Sequence, residues 1–303
     1  MQSPESNVVT GAFSHSGKYI AARLLASGES VKTLTGHPER ENPFGGRVSA
    51  QPLSFDNPEW LVKSLQGAAT LYNTYWIRFS HRWGDFDKAV ANSQILIRAA
   101  EEAGVRRMVH ISITNPTETS PFPYFRGKAL VEKAIIDSKM SYAIVRPALI
   151  FGTEGILINN IAWLLKKFPV FAIPGSGDYR VQPIFVEDLA EIAVSVGHKG
   201  DNIVMDAVGP ETFTFEELVR LIAHKIKRRA RIVHASPGLV LCLARLIGCI
   251  VGDVVLTKEE IGGLMANLLV SGEAAAGRTR LSQWLTENAE ALGDSYASEL
   301  KRH

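Results

Sequence analysis

The clearest pattern of apolar and polar positions lies near the start of the chain. A short apolar run at Val8–Val9 leads into Gly11, and apolar residues then recur at helical spacing until Gly28. After that glycine, apolar residues at Val31 and Leu34 indicate a second strand. The pattern predicts a strand, a tight glycine turn, a helix and a second strand.

The same alternation of strands and helices continues to about residue 150. Strands are predicted at Pro52–Asp56, from Ala69, at Arg107–Ser112 and at Ser141–Gly152, with helices at Trp60–Leu65, Val90–Ala103 and Phe125–Ser138. About six strands alternating with helices require a parallel sheet with right-handed crossovers. The predicted fold class is α/β, with a doubly wound parallel sheet.

The second half of the chain is less regular and mostly helical. Helices are predicted at Ile158–Phe168 and Leu189–Val196, and after two capping boxes, Thr214–Glu217 and Thr257–Glu260. We expect one domain at residues 1–154, to which residues 181–208 return. Residues 155–180 and 209–303 would then form a smaller domain.

One apolar segment, Pro237–Leu256, is nearly long enough to cross a bilayer. Arg245 and Asp253 interrupt it, and a charge in mid-membrane is costly. We therefore interpret it as an amphipathic or core-covering helix of the small domain. A hydrophobic lid and a peripheral membrane contact are the alternatives.

Composition and charge describe an ordinary globular protein. Hydrophobic residues make up 46% and charged residues 21% of the 303 residues, and the net charge is +2. This balance gives no indication of nucleic-acid binding, and the basic run at Lys225–Arg231 is interpreted as a solvated helix end. Cys242 and Cys249 lack a metal-ligand spacing, so we expect no metal and two buried thiols. With a polar N-terminus that leads directly into a strand, we expect a cytoplasmic protein.

The glycine turn is the first candidate for ligand binding. The spacing Gly11-x-x-Ser14-x-x-Gly17 precedes a helix whose N-terminus offers free N–H groups and partial positive charge to a phosphate. Serine occupies the middle glycine position. Ser14 either adds a hydroxyl donor to the phosphate or marks weaker nucleotide binding.

The ends of the next two strands bear on the identity of the nucleotide. After Thr35 no acid stands at the strand end to hold a ribose diol, whereas His37 and Arg40 can meet a 2′-phosphate. This favours NADP, with NAD as the alternative. Phe55 and Asp56 are candidates to flank the adenine, although Asp56 is equally suited to cap a helix.

An aromatic and basic loop follows the fourth strand. Tyr75, Trp76, Phe79 and Trp83, with Arg78, His81 and Arg82, are candidates for a substrate wall with anion-binding groups. The alternative is that the aromatic residues anchor a long loop and Arg78 caps a helix.

The candidate chemistry lies at Ser112, Tyr124 and Lys128. Tyr124 and Lys128 are four residues apart, which places them on one helix face. A tyrosine hydroxyl acts as acid or base near neutrality only beside a cation, which Lys128 would supply. Ser112 ends a strand and would hydrogen-bond a substrate oxygen. The incidental occurrence of Tyr-x-x-x-Lys in a helix is the alternative.

These features together resemble the extended or atypical short-chain dehydrogenase/reductase superfamily. The branch that is most similar contains the Rossmann-type accessory subunit of mitochondrial complex I and nucleoside-diphosphate-sugar epimerases. The matching segments are Thr10–Gly17, Tyr72–Asn73, Val109–Ser112, Tyr124–Lys128, Val145–Pro147, Phe151–Gly152, Gln182–Pro183, Val186 and Asp188. The resemblance implies a Rossmann domain that binds NAD(P) and a small C-terminal domain that closes over a small-molecule substrate. A homodimer is compatible with it.

The residue patterns and the resemblance together give the residues expected at the nucleotide. They are Gly11, Phe13, Ser14, His15, Ser16, Gly17, Thr35, His37, Arg40, Phe55, Asp56, Asn73, Thr74, Lys128, Pro147 and Ile150. Asp188 is implied to be structural.

Three departures from the family pattern stand out. Serine precedes tyrosine by twelve residues rather than about two dozen, Asn73–Trp76 replaces the familiar Asn-Ala-Gly sequence, and Gly127 interrupts the candidate catalytic helix. The short interval resembles the complex I branch, in which some members bind nucleotide without turnover.

Two functions remain open on these residues. The first, which Tyr124 and Lys128 favour, is an NAD(P)-dependent oxidoreductase or epimerase. The second is a nucleotide-binding assembly or sensor protein that captures a partner through the apolar segment.

Overall fold

The computed structural model describes residues 6–79, 85–298 and 300. The elements up to residue 147 are β1 (Ser6–Thr10), α1 (His15–Ala26), β2 (Ser30–Thr35), β3 (Val48–Pro52), α2 (Pro58–Leu65), β4 (Ala68–Asn73), α3 (Phe86–Glu102), β5 (Arg107–Ile111), α4 (Pro123–Ile136) and β6 (Ser141–Pro147). The elements that follow are β7 (Leu149–Phe151), α5 (Ile156–Lys167), β8 (Val170–Pro174), β9 (Arg180–Val181), β10 (Pro183–Phe185), α6 (Val186–Gly197), β11 (Ile203–Ala207), β12 (Phe213–Thr214), α7 (Phe215–Lys225), β13 (Arg231–Ala235), α8 (Pro237–Val251), α9 (Lys258–Met265) and α10 (Leu281–Asn288).

These elements form two compact units. The first comprises the chain up to Pro147 together with Val186–Ala207, and the second comprises Ala148–Phe185 together with the chain from Val208 onward.

The first unit is built on a seven-stranded sheet of order β11-β6-β5-β4-β1-β2-β3, in which every described pairing is parallel. From β1 the chain builds outward to β3, and it then returns to β4 on the other side of β1. In such sheets ligands bind at the carboxyl ends of the strands, where the strand order reverses. The switch point here lies between β1 and β4. The α/β prediction of a doubly wound parallel sheet is confirmed.

Helices cover both faces of this sheet. On one face α1 packs against α6, and on the other α2, α3 and α4 pack side by side. The core under the second group includes Leu71, Leu96, Met108 and Ile144, each fully buried. Because both faces are covered, the central strands read as continuous apolar runs.

The second unit is smaller and mostly helical, with short two-stranded pairings. Its core gathers Phe151, Ile161, Leu218 and Trp284. Both predicted capping boxes are confirmed, since Thr214 and Thr257 each exchange hydrogen bonds with the glutamate three residues later. These caps satisfy the first N–H groups of α7 and α9.

Three local expectations are wrong. The third strand ends at Pro52, so Phe55 and Asp56 lie in the turn that follows it. Asn57 rather than Asp56 caps α2, and its side chain accepts a hydrogen bond from the Trp60 N–H. The two cysteines are exposed on α8 rather than buried.

None of the helices described here has the length and apolar character needed to cross a membrane.

Candidate nucleotide site

The β1–α1 turn has the geometry that a bound phosphate requires. Gly11 adopts a φ of 66°, which a residue with a side chain rarely adopts. Its N–H donates to the Leu34 carbonyl at 2.8 Å, and its carbonyl accepts from the Ser14 N–H at 2.8 Å. The turn is therefore fixed against β2 and leads directly into the N-terminus of α1.

Gly17 allows α1 to approach this turn closely. A Cβ at this position would lie 2.7 Å from the carbonyl carbon of Gly11 and still closer to its oxygen. A glycine at this position gives the close packing of helix on strand that dinucleotide-binding turns require. The cradle therefore fits a pyrophosphate at the N-terminus of α1.

The hydroxyl of Ser14 is used within the turn. It donates to the Gly11 carbonyl at 2.6 Å, and the residue is exposed at the N-cap of α1. Three neighbouring candidates lie around it. Phe13 contacts Phe44 at 6.5 Å between ring centroids, the His15 ring contacts Tyr19 edge-on, and Ser16 lies half-buried in the first turn.

The end of β4 is tied to the same turn. The Thr74 N–H donates to Thr10 Oγ1 at 2.7 Å, and Thr74 Oγ1 donates to the Thr10 carbonyl at 2.6 Å. Asn73 is fully buried and its amide nitrogen donates to Nδ1 of His110 at 3.1 Å. The structure thus places Thr74 beside Gly11 at the switch point, while Asn73 supports the sheet.

The segment after β2 holds the residues expected to select the nucleotide. Thr35 Oγ1 accepts the His37 N–H at 3.2 Å, and the Arg40 N–H donates to the His37 carbonyl at 3.3 Å. His37 Nδ1 lies 3.3 Å from a carboxylate oxygen of Glu39, a residue outside the predicted site. An acid is therefore present in this turn, four residues after the strand.

Phe55 packs on Tyr75 with 4.8 Å between ring centroids, and Asp56 is exposed. Tyr75 Oη in turn accepts a hydrogen bond from the Asn92 amide at 2.8 Å. Of the aromatic and basic loop, Arg78 lies over the Phe79 ring, and His81, Arg82 and Trp83 lie outside the described residues. Pro147 ends β6 in the first unit, and Ile150 lies half-buried in β7 of the second.

Ser112 is engaged in a buried ionic network. Its hydroxyl donates to Oε1 of Glu132 at 2.5 Å, and the Glu132 carboxylate also accepts hydrogen bonds from Nε and Nη2 of Arg146. Glu132 lies one helical turn after Lys128 on α4. Glu132 is not among the residues predicted for the site, although its spacing from Lys128 is a signal that indicates it.

Lys128 is buried, with 3% of its surface exposed. Its Nζ donates to the Ile111 carbonyl at 2.8 Å and lies 4.7 Å from the centroid of the Trp76 ring. Burial lowers the pKa of Lys128 to about 7, against the opposing effect of the Glu132 carboxylate. Burial, with Lys128 nearby, also holds the pKa of His110 well below its usual range.

Tyr124 lies half-buried in an aromatic cluster. Its ring meets the rings of Trp76 and Phe86 edge-to-face, with centroids 6.0 and 5.7 Å apart. Tyr124 and Lys128 therefore contact the same indole. Trp76 was singled out in the sequence as a substrate-wall candidate, and the structure places it against the two residues of the Tyr-x-x-x-Lys motif.

Comparison with known proteins supports the nucleotide site. A family described as NAD(P)H-binding matches residues 11–156. The mitochondrial NADH dehydrogenase [ubiquinone] 1 alpha subcomplex subunit 9 of Arabidopsis thaliana is 25% identical over 88% of this chain and 71% of its own length. The same subunit of Dictyostelium discoideum is 30% identical over 71% of this chain and 62% of its own. The photosystem II assembly factor Ycf39 of Cyanidium caldarium is 22% identical over 80% of this chain and 78% of its own length.

Solved structures share the fold. A nucleoside-diphosphate-sugar epimerase of Staphylococcus aureus has a TM-score of 0.76 and 18% identity over 93% of this chain and 99% of its own. The Citrobacter sp. triphenylmethane reductase complexed with NADP(H) has a TM-score of 0.68 and 18% identity over 94% of this chain and 99% of its own. MoeE5 in complex with UDP-glucose and NAD has a TM-score of 0.68 and 19% identity over 94% of this chain and 97% of its own.

The fold is therefore that of NAD(P)-binding oxidoreductases and epimerases. Residues 11–156, with the glycine cradle at their start, form an NAD(P)-binding Rossmann domain.

Proposed function

We propose that this chain binds NADP(H) as a stabilising ligand within a larger protein assembly and does not turn over a carbonyl substrate at Tyr124. The observation that carries the proposal is the state of Lys128. Its Nζ is hydrogen-bonded to the Ile111 carbonyl and lies against the Trp76 indole, with 3% of the residue exposed.

This arrangement weakens the chemistry expected of the motif. A phenol is activated near neutrality by a full positive charge beside it. Burial lowers the pKa of Lys128 to about 7, which makes it less able to hold a full positive charge beside the phenol. Ser112 directs its proton to Glu132, so this proton is not directed at a substrate oxygen.

The nucleotide cradle, unlike the Tyr124–Lys128 pair, has the arrangement that its expected ligand requires. The Gly11–Gly17 turn and the N-terminus of α1 would hold the pyrophosphate, and His37 with Arg40 would hold a 2′-phosphate. A bound NADP(H) would supply hydride chemistry where a substrate and an acid/base group are in place. Without them, a ligand that binds only the folded chain stabilises it by mass action.

Two relatives agree with a role in assembly. One is by name a subunit of the NADH dehydrogenase alpha subcomplex, and the other is by name a photosystem II assembly factor. We infer that the partner of this chain is a protein complex.

Thermal unfolding with NADPH, NADP, NADH, NAD and no addition tests the binding half of the proposal. We expect a clear rise of the midpoint with the phosphorylated pair and a smaller rise with the other pair. No rise with any nucleotide would overturn it. A carbonyl-reduction screen on the nucleotide-loaded protein tests the other half, and turnover that the Tyr124→Phe variant loses would overturn that half.

A second candidate is an NAD(P)-dependent oxidoreductase or epimerase that uses Tyr124 as acid and base. One observation favours it, which is that Tyr124 and Lys128 contact the same indole. Turnover lost in Tyr124→Phe with unchanged nucleotide affinity would select this candidate.

A further inference from the structure

Helix α8 presents an apolar face to solvent. Its inward side consists of the small or short residues Val240, Ala244 and Gly248, and the helix packs on β8. Its exposed apolar residues are Leu239, Cys242, Leu243, Leu246, Cys249 and Ile250. Of these, Leu239 is 52%, Leu246 59% and Ile250 79% exposed.

These side chains form one continuous stripe. At 3.6 residues per turn they cover an arc of about 120° on the helix surface, and Arg245 stands at its edge. A stripe of this width normally faces a core. Here it faces solvent, as do apolar patches that contact another molecule or a membrane.

The chain from residue 218 to the end of α8 holds no acidic residue. The stretch from residue 218 to residue 252 holds seven Lys and Arg, whereas the whole chain has 31 acidic and 33 basic residues. Five of the seven lie in the basic segment, Lys225–Arg231, directly before β13 and α8. Lys227, Arg228, Arg229 and Arg231 are exposed, and within the described part of the chain they form no ion pair.

We propose that α8 and the basic segment bind the surface of a bilayer that contains anionic lipids. Such a surface offers hydrocarbon to the stripe and negative headgroups to the cations. The 15 residues of α8 extend about 22 Å, less than the ~30 Å of a hydrocarbon core, so the helix lies along the interface. This proposal does not rest on the nucleotide site.

The charge pattern favours a bilayer over other occupants. A nucleic acid would meet the cations but leave the aliphatic stripe exposed. A protein groove would cover the stripe, yet the stripe contains no Trp or Tyr, the residues that dominate protein hot spots. The other occupants are outcomes of the test below.

Vesicle flotation of the full chain tests the proposal. We expect binding to phosphatidylcholine vesicles with about one-third phosphatidylglycerol, at least tenfold weaker binding to pure phosphatidylcholine, and loss of binding at high salt. Ile250→Glu should weaken binding at least tenfold. Ile136→Glu makes the same change at an exposed position of α4, and this variant should bind the vesicles as the wild type does.

A double variant tests the basic segment separately. Arg228→Glu with Arg229→Glu should remove the preference for anionic vesicles. Absence of flotation for the wild type, or equal flotation of Ile250→Glu, would overturn the proposal. So would the finding that Ile250→Glu disrupts a self-associated form while no vesicle is bound.

The cysteines provide a second measurement. The chain has two, and both lie on α8. An environment-sensitive fluorophore on Cys242 of Cys249→Ser, or on Cys249 of Cys242→Ser, should shift to the blue with anionic vesicles and be quenched by a quencher in the lipid tails. An unchanged spectrum at both positions would contradict the proposal.

Discussion

The indole of Trp76 occupies the place that a side chain at Gly127 would take. A Cβ built on Gly127 lies 2.9 Å from Cη2 of Trp76 and 3.2 Å from a methyl group of Val90. The glycine in the middle of α4, which has no evident catalytic reason, is thus explained by packing. It lets the indole lie against α4 and cover Lys128.

Gly127→Ala should therefore destabilise the protein. Alanine usually stabilises a helix interior by about 1 kcal/mol relative to glycine, but overpacking here should cost roughly 1–3 kcal/mol. Urea unfolding measures the difference. Gly238→Ala in α8 is the matched control, since a Cβ there meets nothing within 4 Å, and it should not lower stability. A stabilised Gly127→Ala variant would show that the indole yields easily.

The pH dependence of stability should report on Lys128. Its folded pKa of about 7 lies below its ordinary value of 10.5. Between these values the unfolded chain binds more protons than the folded chain, so the free energy of unfolding rises with pH. The contribution is greatest above 10.5 and is lost as the pH falls to 7.

Lys128→Met should remove this rise. Urea unfolding across the same pH window measures it for both proteins, and the wild-type curve should be the steeper one. Lys199→Met, at an exposed position, should keep the wild-type slope. Parallel curves for wild type and Lys128→Met would mean that the amine is not desolvated.

Gly17→Ala should weaken NADPH binding at least tenfold. The added methyl group would overlap the carbonyl of Gly11 and push α1 away from the phosphate turn. Titration with NADPH measures the affinity, and circular dichroism checks the fold. Gly272→Ala, where nothing lies within 4 Å, should bind normally. An unchanged affinity in Gly17→Ala would place the nucleotide elsewhere.

Arg40→Ala should weaken NADPH binding about tenfold and leave NADH binding nearly unchanged. A charged hydrogen bond to a phosphate contributes about 1.5–3 kcal/mol, and NADH lacks that phosphate. Paired titrations with both nucleotides measure the selectivity. Arg98→Ala removes the same charge at an exposed position of α3, and it should leave the affinities for both nucleotides unchanged. Equal weakening of both nucleotides would remove Arg40 from recognition of the 2′-phosphate.

Local signals predicted much of this molecule. The glycine turn at Gly11, the two capping boxes and the alternation of strands and helices follow from short-range chemistry. The edge strand β3 was misplaced because its residues are only partly buried and show little periodicity. The exposure of Cys242 could not be predicted either, since a helix that is apolar all round does not show which side is covered.

The candidate site shows the same limit. The sequence identified Ser112, Tyr124 and Lys128, but their partners come from distant parts of the chain. Trp76 reaches Lys128 from the loop after β4, and Arg146 reaches Glu132 from β6. Whether a lysine faces a ligand or a carbonyl depends on such tertiary contacts, which no local pattern encodes.

The NADPH affinity of Lys128→Met tests the central claim most directly. If Lys128 is held by the Ile111 carbonyl and the Trp76 indole, the variant should bind NADPH within about twofold of the wild type, because its side chain meets no part of the nucleotide. Gly17→Ala provides the reference for lost binding. A tenfold or greater weakening in a folded Lys128→Met variant would show that the amine reaches the nucleotide, and it would contradict the account.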